Sequence, residues 1–159
     1  MPANSWKLAP GLNNVGSFQV SGRPFVTGSC VGPASGSTAM VVRFPYVTKW
    51  LSIQPLHTQV HSRTLRVAFS ENGLHGKGAT SPAGGYNFNL NVSSSLCGPL
   101  DLKVSEVWFM SNDGSTYTFD VVAGVTNIPA SRVSIPEDRT IDGVVETAGP
   151  NWTGSLGVG

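Results

Sequence analysis

A chain of 159 residues with a formal net charge of +1 is the size of one domain, long enough to bury roughly two thirds of its unfolded surface around one core. Only 12% of its residues are charged, about half the usual share, so it has no basic field for nucleic acid or anionic membrane and no acidic tail. No run approaches the ~18 apolar residues of a membrane-spanning helix, and Met1-Pro2-Ala3-Asn4-Ser5-Trp6-Lys7 lacks the basic-then-apolar pattern of a signal peptide. A protein made in a cytoplasm, with neither nucleic acid nor membrane as partner, is expected.

The 19 glycines and 11 prolines indicate a turn-rich β protein. Residues 1–14 mix Pro2, Pro10, Gly11, Asn13 and Asn14 with a lone Trp6 and with Leu8, which predicts an arm rather than part of the core. Residues 16–20 and 23–27 are strand candidates, the second anchored by Phe25. Residues 28–38 carry so many Gly, Ser and Pro that they read as loop. The densest apolar run follows, Met40-Val41-Val42-Arg43-Phe44-Pro45-Tyr46-Val47-Thr48-Lys49-Trp50-Leu51-Ser52-Ile53. Pro45 has no amide to donate, so the run predicts two strands meeting at a bend that carries the chain between two sheets.

Beyond the polar connection 54–64, Leu65, Val67 and Phe69 alternate with Arg66 and Ala68 as in a half-buried strand, which Ser70-Glu71-Asn72-Gly73 ends with a turn. Residues 73–85 read as a long glycine-rich loop. In Tyr86-Asn87-Phe88-Asn89-Leu90-Asn91-Val92 every apolar residue falls on one face and every asparagine on the other. Residues 100–110 switch phase near Ser105 or Glu106, as at a β-bulge. Asn112-Asp113-Gly114 is a turn signal, and a hairpin of 102–110 with 116–125 is expected. Residues 132–135 suggest a last short strand. Residues 137–159 turn polar and glycine-rich around Trp152, an irregular tail.

Short strands with turn signals every ten or so residues predict an all-β antiparallel sandwich with jelly-roll or Greek-key connections, closure into a barrel being the alternative. The domain proper is residues 15–136, between the arm 1–14 and a flexible tail 137–159. Cys30 and Cys97 read as buried thiols rather than a disulfide.

Chemistry-bearing constellations are weak. His57 and His61, with His75 beyond, have ligand-like spacing but lie in a predicted loop, where a four-residue interval fixes no geometry. Asp138, Asp142 and Glu146 do not follow the alternation of a calcium loop. Gly76-Lys77-Gly78-Ala79-Thr80 has a phosphate loop's composition without its spacing. The serines lack a nucleophile elbow. Neither catalytic residue, metal nor cofactor is predicted. Asn91-Val92-Ser93 and Asn151-Trp152-Thr153 match the glycosylation pattern, a chance match in a chain without a leader. Trp50, Trp108, Tyr46 and Tyr117 are the aromatics from which a sugar-binding groove would be built, against the simpler reading that they are core.

The runs Phe44-Pro45-Tyr46-Val47-Thr48-Lys49-Trp50, Leu65-Arg66-Val67-Ala68-Phe69-Ser70-Glu71-Asn72-Gly73 and Val121-Val122-Ala123-Gly124-Val125-Thr126-Asn127-Ile128-Pro129-Ala130 resemble those of small accessory structural proteins of virus particles, across residues 44–132. The resemblance implies a β-sandwich subunit that decorates or cements an icosahedral capsid. It further implies a homo-oligomer at the virion surface, partnered by the major capsid protein or other virion proteins. Trp6, Leu8 and Trp152, apolar groups on polar ends, are the expected partner contacts. The alternative is a carbohydrate-binding β-sandwich module that exposes Trp50 or Trp108.

Overall fold

The computed structural model describes residues 22–56, 64–75, 87–91, 97–132, 139–141 and 144–146. They form an all-β sandwich of two antiparallel four-stranded sheets. In chain order the strands are β1 (Arg23–Gly32), β2 (Met40–Arg43), β3 (Tyr46–Pro55), β4 (Thr64–Ala68), β5 (Asn87–Asn91), β6 (Cys97–Leu100), β7 (Glu106–Ser111) and β8 (Tyr117–Pro129). One sheet has the order β1-β8-β3-β6 and the other β2-β7-β4-β5. The first strand therefore pairs with the eighth, the second with the seventh, the third with the sixth and the fourth with the fifth.

Alternation places the core. Leu51 and Ile53 of β3, Leu65 and Val67 of β4, Val107 and Phe109 of β7, and Phe119, Val121 and Ala123 of β8 are all fully buried between the sheets. Phe109 and Phe119 meet across the gap with ring centroids 4.4 Å apart. Near the other end Phe25 stands edge-on to Phe44 at 5.0 Å.

The bend at Pro45 carries the chain between sheets, since β2 and β3 lie in different ones. Beside it lies another crossing, between β6 and β7, and the two are tied together: the Phe44 amide donates to the Ser105 carbonyl at 2.8 Å and that of Thr48 to the Val104 carbonyl at 3.0 Å. Two expectations about this region are corrected by such crossings. The phase switch near Ser105 is a change of sheet, not a bulge within one strand, because an apolar face turned toward the core from the opposite sheet needs the opposite phase. Asn112-Asp113-Gly114 likewise joins strands of different sheets: β7 pairs with β2 and β4, and β8 with β1 and β3, so the expected hairpin does not form.

Residues 28–32 also depart from expectation. The ladder with β8 continues to Gly32 by absorbing Gly28 and Ser29 in a register shift between Thr27 and Cys30. Ser29 takes a φ of 55°, and its amide, turned out of the ladder, donates to Asp120 Oδ1 at 2.7 Å. The predicted turn at 70–73 is the start of a five-residue helix, α1 (Glu71–His75). Ser70 Oγ accepts from the Gly73 amide at 2.9 Å as its cap, and buried Leu74 packs on Ala68 and Met110. Ala130–Arg132 forms a 3-10 turn; the rest of the short strand expected over 132–135 lies outside the described residues. The tail contains a two-stranded antiparallel ladder, β9 (Arg139–Ile141) with β10 (Val144–Glu146), so it is not wholly irregular.

Cys30 is a buried free thiol. Its strand, β1, and that of Cys97, β6, are opposite edges of one sheet. Three strand spacings, about 14 Å, exceed the Cα separation a disulfide tolerates.

Candidate functional site

Trp6, Leu8, Trp152, His57 and His61 lie outside the described residues. So do Asp138, Asp142 and the glycine-rich segment 76–80. His75 falls on α1 and Glu146 on β10. Among the described residues no group of three His, Cys, Asp or Glu side chains is placed to hold a metal ion, and no helix is long and apolar enough to cross a membrane.

The four aromatics considered for a groove do not come together. Tyr117 is fully buried on β8, in the core. Tyr46, at the start of β3, is half-buried with the Arg23 guanidinium 5.5 Å from its ring centroid. Trp108 is half-buried on the outer face of the β2-β7-β4-β5 sheet, its neighbours Val107 and Phe109 being those that enter the core. Its indole Nε1 already donates to Glu106 Oε1 at 3.0 Å. Glu106 in turn pairs with Arg43 at 3.3 Å, and the Arg43 guanidinium lies 5.9 Å over the indole. Trp108 thus has both its polar edge and one face engaged within the chain.

Trp50 is the exception. Leu51 and Ile53 point into the core, so Trp50 and Ser52 face outward from the other sheet. There a groove of about 460 Å³ is lined by Trp50, Ser52, Pro99, Asp101 and Val122. β3 supplies its floor, β8 contributes Val122 opposite Ser52, and β6 with the start of the crossing to β7 supplies the far wall. Gly98 makes that wall possible. It holds a φ of +122°, and a Cβ there would lie 2.7 Å from the Leu51 carbonyl oxygen, so only glycine lets β6 approach β3 this closely.

Apolar ground continues from the groove toward the β1 edge. Val26 is in register with Val122 and is 66% exposed, and Val31 further along the same edge strand is 49% exposed. A lone exposed valine carries no message. Val26 beside Val122 and Trp50 makes a continuous outward strip on one sheet face. The exposed Asp101 carboxylate stands at the rim and forms no ion pair among the described residues.

Sequence reading placed Trp50 among the candidate aromatics but missed Asp101, Pro99, Val26 and Val31. The outward valines had a local signal, since Val26 alternates with Phe25 and Thr27; the β6 wall had none, because it depends on which strand lies beside β3. No family model, curated protein or solved structure matches the chain.

Proposed function

We propose that this chain is a non-enzymatic structural protein of a virus particle, a decoration or cement subunit that binds the major capsid protein and stabilises the shell. The observation that carries the reading is the strand pairing, first with eighth through fourth with fifth. A long hairpin folded and wound in that way is a double Greek key, which supports a jelly roll, an architecture that recurs in viral capsid and lectin domains. The interior is filled by Leu51, Ile53, Leu65, Val67, Phe109 and Phe119, so a partner meets the outer faces and edges. The low charge and the outward strip of Val26, Val122 and Trp50 fit a surface meant for protein rather than for nucleic acid. A protein that binds only the assembled shell stabilises it by mass action over many equivalent sites. The test is to locate the chain in purified particles by peptide mass spectrometry and surface immunolabelling. Stoichiometric presence on intact shells is expected, and absence from purified particles excludes the reading.

A carbohydrate-binding module remains the second reading because of one observation, the partly exposed Trp50 in a groove rimmed by Asp101. An indole face packs on a sugar ring while a carboxylate accepts from its hydroxyls. A glycan array on which the intact protein binds nothing removes it.

A further inference from the structure

We infer that the groove over Trp50 is the recognition site for an arginine side chain presented by another protein, its guanidinium lying on the indole face and paired with the Asp101 carboxylate. The ladder brings indole and carboxylate together. Leu51 of β3 is in register with Leu100 of β6, so one position on, Trp50 stands opposite Asp101, just past the end of β6. Residues directly opposite on one sheet face have Cβ atoms about 5 Å apart. Trp50 turns outward because Leu51 beside it is in the core, and both Trp50 and the exposed Asp101 line the groove.

The opposite sheet shows what completes such a pair. On its outer face Trp108 and the Glu106 carboxylate hold Arg43, whose guanidinium lies 5.9 Å from the indole centroid and 3.3 Å from Glu106 Oε2. The groove supplies the same indole and carboxylate, and among the described residues no guanidinium lies over Trp50 and no cation pairs with Asp101. The rest of the lining suits the stem. Val122 and Pro99 are apolar, and an arginine lays its methylenes along such walls while its planar head stacks on the ring and donates two hydrogen bonds to one carboxylate. A lysine ammonium, compact and strongly hydrated, makes only a point contact. A wholly apolar plug would cover the Asp101 carboxylate without pairing it. A sugar ring brings several hydroxyls to a lining whose polar side chains are Ser52 and Asp101 alone. The volume of about 460 Å³ leaves room for the residues on either side of the arginine, so the groove takes an exposed loop or terminus of a protein rather than the free amino acid. Nothing in this fit depends on the partner belonging to a virus particle.

The full-length protein, labelled with 5-fluorotryptophan at its four tryptophans, is titrated with the end-capped tripeptide Gly-Arg-Gly and followed by fluorine NMR, each line assigned from a Trp→Phe variant. The Trp50 line is expected to shift saturably, while that of Trp108, whose face is already taken by Arg43, stays in place. The capped Gly-Lys-Gly peptide is expected to bind several-fold more weakly. Asp101→Asn, a change of charge at an exposed position, is expected to weaken the arginine peptide by roughly two- to five-fold, the scale of an exposed ion pair, with the remaining lines unmoved. A Trp50 line indifferent to the arginine peptide overturns the inference, as does one that responds equally to the lysine peptide or equally in Asp101→Asn. So does tighter binding of free arginine than of the capped peptide, which would make the groove a small-molecule site. A Trp50 line that moves on dilution of the chain alone would give the groove to a second copy, and one that answers chitooligosaccharide but not arginine would give it to a sugar; either result overturns it too.

Discussion

Two buried polar side chains show how individual residues hold this sandwich together. Thr48 is fully buried; its Oγ1 donates to the Leu102 carbonyl at 2.6 Å and accepts from the Val104 amide at 3.1 Å, fastening β3 to the crossing that leads into β7. Thr48→Val keeps the shape and orphans both backbone groups. It is expected to cost about 1–3 kcal/mol in urea unfolding, with the slope unchanged. Tyr117 is the opposite case, since its hydroxyl is buried without a partner. Tyr117→Phe removes that unsatisfied group and is expected to leave stability unchanged or raise it by about 1 kcal/mol. Burial also raises the Tyr117 pKa above its ordinary value of 10.0. The folded state therefore holds the phenol proton more tightly than the unfolded state. The associated stability is complete below the unfolded value and is lost as pH rises through and beyond it. Urea midpoints from about pH 8 to about pH 11 are expected to fall in the parent and to fall less in Tyr117→Phe.

At the scale of elements, single strands were legible in the sequence and their partners were not. β5 and β8 could be read because their alternation is local, inward Leu90 with outward Asn89 and Asn91, inward Phe119 and Val121 with outward Asp120 and Val122. Pro45 gave away the crossing from β2 to β3 because a missing amide is a property of the residue itself. The crossing from β6 to β7 looked like a bulge, since a phase change alone does not say whether the chain stays in its sheet. β1 was cut short for a similar reason: Gly28 and Ser29 look like a loop, but Asp120 on the neighbouring strand receives the displaced amide, a contact separated by most of the chain. The groove was legible only as Trp50. Its far wall rests on Gly98, whose need for glycine comes from the Leu51 carbonyl across the ladder. Gly98→Ala is expected to cost about 1–3 kcal/mol and to loosen β6 first, seen as faster amide exchange at Leu100 than on β8.

For the whole molecule, the proposed function calls on outer surfaces, because among the described residues the space between the sheets is taken up by core side chains. If the outward strip is a contact surface, Val26→Asp should leave unfolding within about 0.5 kcal/mol of the parent. Its effect should appear in shell binding or self-association, measured by sedimentation. The all-β sandwich was foreshadowed by composition and turn spacing, yet the pairing of first with eighth strand is a long-range property no local pattern contains. The virion role proposed from that pairing turns on binding to a shell. The most direct measurement is therefore calorimetry of capsids stripped of this protein and titrated with the full-length chain. The account predicts that shell melting rises with added chain and levels off at a fixed ratio of subunits. No binding and no shift in shell melting, or closed shells formed by this chain alone, would contradict a cementing role.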